Sequence, residues 1–552
     1  MTLQLQYNRL SVVSEVERIT DPLLEALEKL GHGSKFLWMI FLLTITPTIF
    51  NGMQSIVYVF TTRTILAQIP DHWCMVPILK DAKWTDKEIR DISSATNCTM
   101  YNYDYIQLAN MGYATAKQYV STIPKPAEIP CERRAFGNNT HSTSIVQEWD
   151  LACEALPYRS SVQTALSLGK LIGGCFFGFF SDKHGRRTTY RIGIVIISNY
   201  FYRLLVYDFY YSFYHTVCEV AAETQRQWMG IAYNTGYAVG VAFAPIIGWY
   251  LTNWKHIYLA TTVPAVVCVL HFWYMPESPR WLLIKDRRND ARDVMQKALD
   301  NSSKGYTIPP DSAQVVILSR RSSVVHLDEL AGKSLTKQMQ QALVLVTNPE
   351  MGRRLCITNL AWLSASLSYY VLALNADNLH TDRFLYALVT SVTDIPAYIL
   401  PSAILMLFGR RQSTVFLYII AGLFLLSILT VPTQYTADIA GITLLARFLQ
   451  SAAYGVVILY TSELFPTQTR NSAVGSCSTL SHVGSVAAPY VVDLLGVIIW
   501  WGPTTICGGL AIFSGILVSM LPETRGRRMV NTVVEEVDGE REVVSLANMF
   551  KC

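Results

Sequence analysis

From Phe36 onward, apolar runs of about 20 residues recur along the chain, the length a helix needs to cross the roughly 30 Å hydrocarbon core of a bilayer. Inside lipid every backbone N–H and C=O must be satisfied within its own segment, so runs of this kind fold as helices packed side by side. Composition agrees with that reading, because 51% of the residues are hydrophobic and only 16% are charged, against about a quarter charged in soluble domains. The fold class expected is an all-α polytopic membrane protein whose solvent is the lipid bilayer. The net charge of +4 is small for 552 residues and no basic cluster is dense, so no nucleic acid partner is expected.

The first 34 residues lack the apolar core of a signal peptide and read instead as a cytoplasmic amphipathic segment. Asp21-Pro22 supplies a cap and a first helical residue, Leu23, Leu24, Leu27 and Leu30 make one face, and Gly31 closes the helix. Span 1 runs from Phe36 to about Phe60, and a polar loop at 61–157 follows. That loop carries Cys74, Cys98, Cys131 and Cys153 together with the sequons at Asn97 and Asn138. Cysteines and glycosylation signals in one soluble stretch suit an oxidising, extracellular compartment. Four cysteines allow three disulfide pairings, and sequence does not choose among them. Asn301-Ser302-Ser303 also matches a sequon, but it falls in a segment placed in the cytoplasm.

Span 2, about Ser160 to Phe180, delivers the chain to the turn Gly178-Phe-Phe-Ser-Asp-Lys-His-Gly-Arg-Arg187. Short loops rich in Lys and Arg stay cytoplasmic, so this turn sets the sidedness of the whole chain. Span 5 is Trp228 to Leu251 and span 6 is Ile257 to Met275. A charged linker at 276–354 follows, with 13 Lys and Arg against 9 Asp and Glu. Spans 7 to 12 are about Leu355 to Leu374, Phe384 to Phe408, Val415 to Val431, Ile439 to Tyr460, Ala473 to Leu494 and Val497 to Met520. The organisation expected is an N-terminal helical bundle at 35–275, the linker, a C-terminal bundle at 355–520 and a cytoplasmic tail at 521–552. Both termini then lie in the cytoplasm of a multi-pass protein of the plasma membrane.

Two-fold repetition marks many carriers, and three landmarks recur here. Gly185-Arg-Arg187 matches Gly409-Arg-Arg411; Glu219 with Arg226 matches Glu463 with Arg470; Pro276-Glu277 matches Pro522-Glu523. The second and third recur at 244 and 246 residues but the first at 224. The first half is therefore about one helix short between its basic turn and Glu219. The remaining stretch, Ile192 to Val220, contains Arg203 and Asp208. It reads as two short or re-entrant segments, which restore the sidedness implied by Arg280, Arg287 and Arg288, or as one long tilted helix.

Taken together, the motifs resemble a known family. They are Gly178-x-x-Ser181-Asp182-Lys183-x-Gly185-Arg186-Arg187, Pro276-Glu-Ser-Pro-Arg-Trp-Leu-Leu283, Leu374-Asn-Ala-Asp377, Ser462-Glu-Leu-Phe-Pro-Thr467 with Arg470-Asn471, and Leu521-Pro-Glu-Thr-Arg-Gly-Arg527. In this order they resemble the organic cation, anion and carnitine transporters, solute carriers of the major facilitator superfamily. The resemblance implies two six-helix bundles around a central cavity that opens alternately to either side, with spans 3 and 4 shortened by about 20 residues. It implies a transmembrane carrier of small organic ions, cations or zwitterions of the carnitine and choline type, with organic anions as the alternative. An alternative of another class is a transport-inactive isoform or an incomplete gene model lacking part of spans 3 and 4; another is a receptor-like protein that binds without moving solute.

Carboxylates and guanidiniums at helix ends read as gate contacts that can bridge the halves. Asp182, Arg186 and Arg187 form the first set, and Glu219, Arg226, Arg410, Glu463 and Arg470 the second. Met406 stands where the repeat of Asp182 belongs, so gate closure is expected to lean on the first-half turn. Ionisable groups inside spans are costly without a purpose; Asp394, His482 and Asp493 are singled out on that ground. By the resemblance, cation carriers have an acidic side chain at the positions of both Asp394 and His482, and anion carriers a basic one at the latter. Trp362, Tyr369 and Tyr370 share a helical face at i, i+7 and i+8; the resemblance turns that face to the cavity with Asn234 and Tyr237, where rings can hold an amine. The substrate-binding set is thus Asn234, Tyr237, Trp362, Tyr369, Tyr370, Asp394 and His482. No phosphate-cradling loop or metal-ligand cluster is present in sequence, so no enzyme activity, cofactor or metal is expected, and a coupling ion, Na+ or H+, is left open.

Overall fold

The computed structural model describes residues 22–31, 34–61, 71–137, 144–198, 220, 223–300, 308, 347–376, 379, 382–466 and 469–525. Helix α1, Pro22–Gly31, starts and stops where its proline and glycine place it. Ser34 caps α2, Lys35–Ser55, by accepting from the Leu37 N–H at 3.2 Å. A short continuation, Val57–Thr61, completes the first span. Helix α3, Leu156–His184, is span 2; α4, Arg186–Ser198, leaves the basic turn; α5, Glu223–Tyr250, is span 5. The expected short or single helix over Ile192 to Val220 lies largely outside the described residues, which carry α4 only to Ser198.

Span 6 opens as α6, Trp254–Thr262, passes into a 3-10 stretch at Val263–Leu270 and ends in a turn at His271–Tyr274. Pro264 lacks the N–H that an α-helix would use there, and the 3-10 stretch rises about 2.0 Å per residue instead of 1.5 Å. A short run of residues thereby gains reach across the bilayer. Helices α7, Pro279–Ile284, and α8, Arg288–Asp300, belong to the linker. The buried face of α1, Leu23, Ala26 and Leu30, shares one apolar cluster with Ala291, Met295 and Leu299 of α8. The amphipathic N-terminal helix thus spends its apolar stripe on the linker.

The second half comprises α9, Pro349–Leu374; α10, Arg383–Leu407; α11, Arg410–Ser427; α12, Thr436–Leu464; α13, Arg470–Tyr490; and α14, Gly502–Val518. A π turn at Val491–Leu495 ends span 11 and contains Asp493. Among the described residues, five helices are both long and apolar enough to cross a membrane. Helices α3 and α5 are 29 and 28 residues long and are the first-half helices that meet the other half. The halves join where α3 packs on α13 and α5 on α10, and at that seam Phe60 stacks on Phe384 with centroids 5.2 Å apart.

Between spans 1 and 2 the chain builds a small domain of its own. Strand β1, His72–Cys74, and β4, Arg134–Phe136, pair antiparallel, as do β2, Thr99–Tyr101, and β3, Glu128–Pro130. Val76, Leu79, Trp84, Ile89, Ile92, Tyr105 and Leu108 fill its core. Of the three possible pairings the structure forms Cys74–Cys131 and Cys98–Cys153. The His72 ring nitrogen lies 3.9 Å and 3.5 Å from the Cys98 and Cys153 sulfurs, but those sulfurs are bonded to each other and offer a metal no thiolate. Glu148 ties this domain to the bundle, accepting from Trp254 Nε1 at 2.9 Å and from Lys255 Nζ at 2.9 Å.

Candidate functional site

Two clusters draw the sequence-predicted residues together, one at the seam between the halves and one at the basic turns. At the seam, α3 presents Ser160, Thr164 and Ser167 at i, i+4 and i+7, one face of a helix. Ser160 Oγ donates to Asp493 Oδ2 at 2.8 Å, Thr164 Oγ1 to the Val486 carbonyl at 3.4 Å, and Ser167 Oγ to the Ser485 carbonyl at 3.4 Å. Buried polar groups need such partners, and here the partners belong to the other half. One turn further along α3, Lys170 is buried at 6% exposure. Its Nζ lies 3.4 Å from Tyr370 Oη and 5.7 Å from that ring's centroid. His482, one turn before Ser485 on α13, is within electrostatic reach of Lys170.

Tyr369 and Tyr370 meet edge to face at 5.4 Å. Beneath them lies an ion pair that the sequence reading did not anticipate. Arg447 Nη2 binds Asp394 Oδ2 at 2.9 Å, with side-chain exposures of 1% and 0%. Ser451 Oγ donates to Asp394 Oδ1 at 2.7 Å, and Arg447 Nη1 donates to the Tyr369 carbonyl at 3.0 Å. The guanidinium also lies over the Tyr369 ring, 4.3 Å from its centroid. Both carboxylate oxygens of Asp394 are therefore taken up inside the second half. Asp394, expected from the resemblance to favour cations or zwitterions, stands in a buried pair whose charges offset each other. Arg447 satisfies the same criterion that selected Asp394, an ionisable group inside a span, and so does Lys170; scanning spans 2 and 10 with equal care finds both.

The expected aromatic face divides. Trp362 is fully buried within the second half, where its Nε1 donates to Thr461 Oγ1 at 3.0 Å and its ring meets Tyr454 at 5.7 Å. Tyr369 faces Arg447 and lies within electrostatic reach of Tyr237 of the first half, and Tyr370 shares a hydrogen bond with Tyr237. The spacing placed the three side chains on one helix face correctly, yet neighbouring helices divide a face about 100° wide between core and seam. Asn234 is half-buried one turn before Tyr237 on α5.

At the basic turns the repeated landmarks touch one another. Glu277 Oε1 accepts from the Arg186 N–H at 2.7 Å and the Arg187 N–H at 3.1 Å; Glu523 accepts from the Arg410 N–H at 2.8 Å and the Arg411 N–H at 3.1 Å. Each acid caps the open N-terminus of the helix that leaves its turn, where free N–H groups and the helix dipole favour negative charge. Arg410 also clamps Glu463, Nε at 3.0 Å and Nη2 at 3.2 Å, and Thr524 Oγ1 donates to Glu463 at 2.8 Å. Although Met406 stands where the repeat of Asp182 belongs, Arg410 is paired through Glu463 of α12. This pair also lies inside one half instead of bridging two. Arg470 begins α13. Glu219 lies outside the described residues, as do the side chains of Asp182 and Arg226. In the loop domain Asn97 is exposed, within 3.4 Å of Arg90 Nη2; Asn138 lies outside the described residues.

Comparison with known proteins adds the following. Residues 211–533 match the family described as sugar (and other) transporter. An organic cation transporter protein of Drosophila melanogaster is 25% identical over 539 residues, covering 94% of each chain. Organic cation/carnitine transporter 2 of Homo sapiens is 26% identical over 533 residues, 91% of this chain and 92% of that one. Solute carrier family 22 member 4 of Mus musculus is 27% identical over 542 residues, with coverage of 91% and 92%. Among solved structures, a partially occluded inward open conformation of a xylose transporter from E. coli superposes with a TM-score of 0.54 at 15% identity, covering 90% of this chain and all of that one. The fold is therefore that of the major facilitator superfamily.

Proposed function

The chain belongs to the sugar (and other) transporter family, whose members carry solutes across membranes, and from that premise we propose that it moves small organic ions bearing a quaternary or protonated amine, cations or zwitterions of the carnitine and choline type. The observation that carries this reading is the meeting of Tyr237 from one half with Tyr369 and Tyr370 from the other, beside a buried ion pair. Ring faces attract cations, and these rings already draw two of the protein's own, Arg447 and Lys170. A substrate ammonium takes up the same interaction, chiefly with Tyr237. The names of the relatives, organic cation and organic cation/carnitine transporters, support the same class.

Movement follows from the seam. Its described cross-half bonds include neutral hydroxyl bonds from Thr164 and Ser167 to backbone carbonyls, both at 3.4 Å, each worth about 1 kcal/mol net. Such a seam can part, exposing the tyrosines to the loop side, while Arg410, Glu463, Glu277 and Glu523 act on the opposite side as gate contacts that keep each half rigid. We place the protein in the plasma membrane with the loop domain outside, Asn97 and Asn138 as glycan acceptors there, both termini in the cytoplasm, and Na+ or H+ as candidate coupling ions.

The test is uptake of labelled carnitine, choline and a dicarboxylate into vesicles reconstituted with the full chain. Saturable uptake of the amine-bearing compounds is the expected result. Uptake of the dicarboxylate alone contradicts it.

A further inference from the structure

Taking the proposed organic-ion function as its premise, we infer that the carried ion also bears a carboxylate, and that Lys170 is the residue that binds it and so selects zwitterions over simple cations. Three observations carry this. Asp394, the acid that would attract a bare cation, has one oxygen held by Arg447 at 2.9 Å and the other by Ser451 at 2.7 Å, so its charge is cancelled where it stands. Lys170 is 6% exposed and lies on the face of α3 that meets the second half, one turn beyond the hydroxyls that bond across the seam. Its ammonium lies beside the Tyr370 hydroxyl, and Tyr370 in turn bonds Tyr237. A cation and the rings proposed to hold an amine are therefore side by side.

Charge sets the preference. The described charges coupled to Tyr237, Tyr369 and their neighbours include the Arg447–Asp394 pair, which sums to zero, and Lys170, which also couples to His482. Asp493, on the same seam, is bonded to Ser160, ten residues before Lys170 on α3, or about 15 Å along the helix. A bare ammonium entering this region meets the like charge of Lys170 in surroundings that screen poorly. An ion carrying an ammonium and a carboxylate a few ångströms apart can place the first against Tyr237 and the second against Lys170 and the Tyr370 hydroxyl. The carboxylate then contacts α3 of one half and α9 of the other, so binding is felt by both halves at once.

The experiment compares wild type, Lys170→Gln and Lys170→Arg in reconstituted vesicles, measuring KM for carnitine, for choline and for a dicarboxylate. Lys170→Gln, one bond shorter, keeps a hydrogen-bond donor on an unbranched side chain while removing its charge. Loss of one charge-assisted bond is expected to raise the carnitine KM about tenfold or more, leave the choline KM unchanged or lower, and be reversed by Lys170→Arg. A merely structural role for Lys170 moves carnitine and choline together; that result, or no change in the ratio of their KM values, overturns the inference. Wild-type uptake of the dicarboxylate alone overturns the amine reading instead, while selective loss of that uptake in Lys170→Gln still supports the carboxylate site.

Discussion

Arg447 and Asp394 are 1% and 0% exposed, and a charged pair that deep is held on several sides: the two carboxylate oxygens by Arg447 and Ser451, the guanidinium by the Tyr369 carbonyl and ring. Taking charges out of water is expensive, and removing one partner strands the other. Asp394→Asn is therefore expected to lower stability by about 3–5 kcal/mol, seen as a large drop in the thermal midpoint of the purified protein. Pairing it with Arg447→Met should recover most of that loss. A single mutant as stable as wild type contradicts the pair's structural role. The sequence shows both residues inside spans, and it shows that ionisable groups there need a reason. What it does not show is which of them meet, because partners 53 positions apart are brought together by the packing of α10 on α12.

Elements repeat between the halves more faithfully than side chains do. Each basic turn is capped by the acid that follows its half's last span, yet the backbone differs: Gly185 has φ +97°, whereas Gly409 has φ −69°. A Cβ at either position would collide with the capping acid, Glu277 or Glu523, but only Gly185 also occupies the left-handed region that disfavours a side chain. Gly185→Ala is thus expected to destabilise more than Gly409→Ala, by about 1 kcal/mol, in a side-by-side thermal unfolding comparison. Equal losses would show that the collision alone matters.

The loop domain adds an element that responds to acid. The Lys255 ammonium, then the Trp254 indole, hold the Glu148 carboxyl below its usual range. A carboxyl whose folded value is depressed contributes its tie above the unfolded value and loses it as pH falls through the folded one. The tie should hold through neutral pH and loosen below about pH 4. Hydrogen exchange across 145–149 is expected to quicken there beyond the intrinsic pH effect. Glu148→Gln should abolish the difference, and a Gln variant with the same pH response contradicts the tie. Helix limits were legible where Pro22 and Gly31, Gly185 and Gly409 punctuate the chain, and missed by up to five residues where no such residue marks them, as at Glu223 and Gly502. The disulfide pairing was not, because four cysteines in a loop of mixed short strands and helices are sorted only by tertiary contact.

At the scale of the molecule, two halves meet along a seam of hydroxyls and tyrosines, with apolar residues of both in one cluster. The recurrence of spans and landmarks made a helical fold of two packed halves readable from sequence. The first half is less legible between Ser198 and Val220, where the landmarks fall about one helix short and the residues lie outside those described. The proposed function requires the halves to part. Tyr158 and Ile498, 66% and 80% exposed, sit at the loop-side ends of α3 and of the segment after α13, one in each half. Spin labels at these two positions in the reconstituted protein report the opening directly. The expected result is two distance populations whose ratio shifts when carnitine is added, with the longer one matching a parted seam. A single distance, unmoved by substrate while uptake proceeds, would contradict transport by separation of the halves along this seam.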